Sequence, residues 1–119
     1  MRLTCVALIT LLAGVFAVTA SCDEPKRYLI PTDNFRPEQG FCYIVSMDFG
    51  EEGDKFNGGT SQLMVFEDGK QLGPPHALHA DIREKGEGRY SHWTREGLYM
   101  SASDNTDPRS NGRKYEVAS

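Results

Sequence analysis

The sequence predicts an all-β fold, a small antiparallel β-sandwich or partly open barrel of about seven short strands after an N-terminal signal peptide. Three observations carry this. Beyond residue 20, no 11-residue window sustains the 3.6-residue apolar spacing of an amphipathic helix. Short runs rich in aromatic and β-branched residues alternate with Gly, Pro, Asn and Asp clusters every 8–12 residues. The chain after residue 20 also holds 11 of the 12 aromatics, 11 of the 12 glycines and all 6 prolines, a composition of strands and tight turns rather than of disorder.

The first element is the apolar stretch that follows Arg2. From Leu3 to Val18 it is broken only by Thr4, Thr10 and Gly14, and the small residues Thr19, Ala20 and Ser21 come next. This is the charge, apolar core and small-residue cleavage pattern of a secretory signal. A single membrane anchor is the alternative reading of the same stretch. Cleavage after Ala20 would release a chain beginning Ser21-Cys22. Val18-Thr19-Ala20-Ser21-Cys22 is also similar to a bacterial lipobox, in which Cys22 becomes the lipidated first residue. Thr19 departs from the Leu usual there. If Cys22 is not lipidated, it pairs with Cys42 in an oxidising compartment, and the bridge would contribute about 3 kcal/mol by closing a loop.

The sequence therefore divides into a signal peptide (1–20), an N-terminal linker with a first strand (21–40) and a single β-rich domain (41–119). The expected strands are 27–30, 41–49, 62–66, 77–83, 89–93, 98–103 and 113–117. In 41–49, Phe41, Tyr43, Val45, Met47 and Phe49 share one face while Cys42 and Ile44 share the other, so this strand is expected in a sheet interior. In 77–83, alternation turns Leu78, Ala80 and Ile82 inward and His79, Asp81 and Arg83 outward. Turn chemistry separates the runs at Asn57-Gly58-Gly59, Glu67-Asp68-Gly69, Gly73-Pro74-Pro75 and Asn111-Gly112.

Charge narrows the function classes. Without Arg2 the chain has 12 basic and 17 acidic residues, a net charge of −5, with no basic run to neutralise phosphates. Nucleic acid is excluded as an expected partner, and a membrane enters only through a lipid on Cys22. Gly86-Glu87-Gly88 lacks the third glycine of a dinucleotide loop, and no nucleophile elbow is present.

The densest chemistry lies at Arg89, Tyr90, His92 and Trp93 and in the loop Asp104, Asn105, Asp107, Arg109 and Asn111. Aromatic faces beside planar polar groups suit a sugar, since rings cover its C–H face and polar groups meet its hydroxyls. The leading expectation is thus an exported, non-enzymatic binding module for a glycan or another cell-envelope component. If 89–93, 98–103 and 113–117 run as a meander, Trp93 lies at the opposite end of the sheet from the 104–112 connection, which ranks Arg89 and Tyr90 above it. The structural alternative gives Asp107-Pro108 and Asn111-Gly112 turn roles only.

Two other readings compete. His76, His79, Asp81 and His92 would serve a small metal-dependent hydrolase or oxygenase, imidazole and carboxylate suiting zinc or iron. A structural envelope lipoprotein with no small ligand is the third. No cofactor is expected, with calcium the nearest candidate, at Asp104, Asn105 and Asp107 or at Asp48, Glu51, Glu52 and Asp54.

Overall fold

The structure is a computed structural model that describes residues 6–12, 15–21, 25–55 and 60–119, the first two stretches by their backbone. Val6–Leu12 (β1) and Val15–Ser21 (β2) form an antiparallel hairpin of their own, over the stretch read above as the signal. Among the described residues, no helix is long and apolar enough to cross a membrane. Cys22 lies outside the described residues.

From residue 25 onward the chain is a β-sandwich of two four-stranded antiparallel sheets. The first sheet has the order β3-β10-β6-β7, built from Tyr28–Leu29 (β3), Tyr115–Ala118 (β10), Met64–Glu67 (β6) and Lys70–Gln71 (β7). The second has the order β4-β5-β9-β8, built from Phe35–Gln39 (β4), Cys42–Val45 (β5), Gly97–Met100 (β9) and Tyr90–Trp93 (β8). Segment 21–40 thus supplies a strand to each sheet, and β4 was not foreseen. Its Pro37 lacks a ladder donor, and Arg36, Glu38 and Gln39 give it no apolar run. Both features suit the sheet edge where it lies.

Period-two alternation sets the core. Val45 and Leu98 are register partners, as are Val65 and Val117, and all four are buried. They join Ile30, Phe35, Leu63, Leu72, Tyr90, Met100, Ala102 and Tyr115 in one cluster between the sheets, with Tyr43, Met47 and Phe49 packed against it. Strand β5 lies between β4 and β9, the interior place its two-faced apolarity implies. Gly97 closes the β8–β9 turn at φ 104°, where a Cβ would sit 2.1 Å from the Val45 carbonyl oxygen, so no side chain fits there.

The expected meander is corrected. Strands β8 and β9 do form a hairpin, but β10 pairs with β3 and β6 in the opposite sheet. Residues 101–114 therefore cross between sheets.

The expected strand 77–83 is also corrected: His79–Glu84 is a helix, α1, lying against β5 and β9. Leu78 and Ile82 are four apart as well as even-spaced, so the pattern fits a short helix equally. Several signals favour the helix. Ala80, Arg83 and Glu84 are good helix formers. Gly86 at φ 60° and Lys85 both donate to the Asp81 carbonyl, closing the C-terminus. Arg83 forms a bidentate ion pair with Glu38 of β4. The inward face of the strand reading is lost as a consequence. Ile82 is fully buried but Leu78 is 71% exposed, and His79 stacks on Tyr99 with ring centroids 4.0 Å apart.

Cys42 is a buried free thiol. Burial, aided by the Glu38 carboxylate, pushes it up to about 12, so the thiol stays neutral.

Candidate functional site

Strand β8 is an edge strand, and its free backbone groups are covered by two loops. The Asp54 N–H donates to the His92 carbonyl at 2.5 Å, and the His92 N–H returns to Asp54 Oδ2 at 3.3 Å. Further along, Ala77 N–H donates to the Tyr90 carbonyl at 3.0 Å and Tyr90 N–H to the Pro74 carbonyl at 3.2 Å. These contacts draw residues 51–55 and 74–77 together, far apart in sequence, over β8. Gly53 makes the approach close: its N–H donates to Thr94 Oγ1 at 2.8 Å, and a Cβ there would lie 2.3 Å from the Thr94 nitrogen.

Asp54 is the hub of this junction, its side chain only 4% exposed. Its Oδ1 accepts from Thr60 N–H at 3.0 Å, Ser61 N–H at 3.1 Å and His76 Nδ1 at 2.6 Å. A buried carboxylate is tolerated when donors replace its water, and four protein donors do so here. His76 occupies φ 58°, a conformation uncommon for a residue with a Cβ, while Asp54 fixes its ring. Such strain persists only where the surroundings enforce it.

Behind Asp54 lies a serine–histidine–glutamate group that resembles a hydrolytic triad in composition but differs in wiring. Ser61 Oγ donates to Glu51 Oε1 at 2.8 Å, accepts from Leu63 N–H at 3.1 Å and meets His92 Nδ1 at 2.7 Å. One hydroxyl donor and two acceptor sites are thereby used up, and the ring reaches the serine through Nδ1 rather than Nε2. Ser61 and His92 are both buried. Desolvation holds the His92 imidazole below its ordinary value, against the opposing pull of Glu51, Asp54 and Asp48, and Phe49 packs edge-on at 5.2 Å. The group is a structural staple.

In front of it opens a groove of about 230 Å³, lined by Ser61, Gln62, Leu63, Met64, Gln71, Pro75, His76 and Tyr90. It sits where β7 and β8 end their respective sheets. The Tyr90 hydroxyl donates to the Leu63 carbonyl at 3.0 Å, and burial pushes this phenol up to about 12.

The sequence-predicted residues fall into separate places. Tyr90 lines the groove and His92 lies behind it. Trp93 pairs with Gly97 at the far end of β8, its Nε1 donating to Ser91 Oγ at 3.1 Å. Arg89 is turned to the Gly86 carbonyl at 3.0 Å. The 104–113 loop spends its side chains on itself and on its immediate neighbours. Asp104 takes Arg113 in a bidentate pair at 2.7 Å together with Thr106, which holds its carboxyl well below the usual range. Asp107 binds Arg109 bidentately, which lowers its carboxyl to about 2. Asn105 bridges Glu87 N–H and the Lys85 carbonyl, and Asn111 donates to Tyr115.

The alternative metal set is likewise dispersed. His76 is held by Asp54, His92 by Ser61, and His79 by Tyr99, while Asp81 pairs with Lys85. Among the described residues, no group of three or more His, Cys, Asp or Glu side chains is arranged to hold a metal ion.

Sequence reading missed Ser61 and the pairing of Asp54 with His76. The one available signal was a lone histidine directly after Gly73-Pro74-Pro75, in a segment too constrained to be an ordinary linker. Comparison with known proteins gives no match, whether to a family model, a curated protein or a solved structure.

Proposed function

We propose that this chain is an exported β-sandwich binding module that takes a glycan or another envelope component in the groove between β6, β7 and the 73–77 loop. The observation that carries it is the groove itself. It is open, mixes the amides of Gln62 and Gln71 and the imidazole of His76 with apolar Met64 and Pro75, and is backed by a rigid buried hub at Asp54. Ligand sites combine apolar walls with a few fixed polar groups in this way. The 104–113 loop supports the reading less well, because its charged side chains already satisfy one another.

Export rests on the Arg2–Ser21 pattern, and membrane attachment on lipidation of Cys22. Intact mass of the processed protein tests both: loss of residues 1–20 or 1–21 is expected, a diacylglycerol increment marks the lipoprotein, and retention of Met1–Ala20 contradicts export.

A glycan array with purified protein tests the binding function. Wild type and Arg109→Ala are expected to give the same hits, and His76→Ala to lose them. Hits that vanish with Arg109→Ala and persist with His76→Ala would move the site to the loop.

A further inference from the structure

The groove's polar groups differ in how freely they can choose between donating and accepting. Amide side chains carry both a donor and an acceptor, and so adapt to either. His76 does not. The 2.6 Å contact places its Nδ1 against Asp54 Oδ1, and a carboxylate can only accept, so in mildly alkaline solution, with a single proton on the ring, that proton sits on Nδ1. The other ring nitrogen, Nε2, then carries a lone pair. Asp54 cannot turn away to release the ring, since Thr60, Ser61 and His92 N–H groups hold both of its oxygens. The backbone cannot easily relax either, with His76 at φ 58° between two cross-links to β8, Pro74 and Ala77.

From this geometry we infer that His76 is the specificity-determining residue of the groove, a hydrogen-bond acceptor of fixed direction. It selects ligands presenting hydroxyl donors, neutral sugars above all, and rejects carboxylates and phosphates. The inference rests on the groove being the binding site and adds the chemical class that the site takes. Two features strengthen the discrimination. An anionic oxygen facing the Nε2 lone pair brings no proton to share, so it loses water without gaining a partner. The carboxylates of Asp54 and Glu51 contact the groove-lining His76 and Ser61, in a chain of net charge −4, and repel a second anion. Fixed acceptors of this kind reject the wrong partner more strongly than they attract the right one.

Two measurements on the processed protein test it. Long-range imidazole ¹H–¹⁵N correlations in mildly alkaline buffer, with no ligand added, should show His76 as the Nδ1–H tautomer. An Nε2–H tautomer overturns the inference whether or not any variant folds. Binding is then compared, in the same mildly alkaline buffer, between neutral chito- and malto-oligosaccharides and anionic oligogalacturonate and heparin fragments. A neutral sugar should bind at least about tenfold more tightly than either anion. His76→Ala should remove that preference by weakening the neutral sugars to the level of the anions, and His76→Gln, which keeps an acceptor at similar reach, should retain most of it. Equal binding of neutral and anionic sugars, with His76→Ala still weakening both, overturns the selectivity while leaving the groove as the site. Binding unaffected by His76→Ala overturns both.

Discussion

Ser61 contributes one hydroxyl to three partners, and that saturation defines its role. Removing it strands the Glu51 carboxylate, the Leu63 N–H and the His92 ring in a buried position. Leaving buried polar groups unpaired costs about 1–3 kcal/mol, so Ser61→Ala should lower the melting temperature by several degrees. A fluorophosphonate probe should leave the wild-type serine unlabelled. Rapid stoichiometric labelling at Ser61 would contradict the assignment and point to a hydrolase. At Asp107 and Arg109 the expectation is different, because both are solvent-accessible and paired mainly with each other. Asp107→Ala should reduce stability slightly and leave glycan binding unchanged, measured by thermal melting and by titration on the same sample.

At the scale of elements, α1 gives the sharpest contrast between what alternation implies and what packing selects. A strand would bury Leu78, Ala80 and Ile82 together, whereas the helix buries Ile82 and leaves Leu78 in water. Ile82→Ala should therefore cost about 2–5 kcal/mol, and Leu78→Ser close to nothing. Comparable losses at both positions, read from denaturant midpoints, would restore the strand. The same contrast shows why some elements were legible and others not. Strand β5 announces itself through apolar residues on two faces, and β8, β9 and β10 through short segments carrying Tyr or Trp bounded by turn residues. Six residues are too few for a helical period to separate from alternation, and β4 is masked by Pro37 and by its polar edge position. The groove was legible at Tyr90, as a ligand-binding candidate, and at His76, as a metal candidate after Gly73-Pro74-Pro75. Asp54 and Ser61 are ordinary loop residues until the uncovered edge of β8 recruits them, and that is a tertiary event with no local signature.

For the whole molecule, protonation links the separate networks to a single stability curve. His79 and His92 both lie below the ordinary histidine value in the fold, chiefly through desolvation, so the unfolded chain binds their protons first. Their contribution is full above the unfolded histidine value of about 6.5 and is lost as pH falls through their lower folded values. Glu38, Asp104, Asp107 and Glu67 are also depressed, the first three chiefly by hydrogen bonds from Arg83, Arg113 and Arg109. In Glu67, bonds from Ser103 and Tyr115 together outweigh the opposing burial. Their contribution is present above the ordinary carboxylate range near 4 and disappears below it. Melting temperature against pH should therefore fall in two stages, one below about 6.5 and a steeper one below about 4. A profile flat from neutral pH down to the carboxylate range would contradict the buried neutral state of the two histidines.

The claim on which the functional account turns is that the binding site is the groove at the edge of β8 and not the 104–113 loop. Its most direct test is a chemical-shift titration of ¹⁵N-labelled protein with the strongest glycan from the array. Saturating shifts are expected at residues 61–64, 71, 76 and 90, which line the groove. Shifts centred on residues 104–113, with those groove positions unmoved, would contradict it.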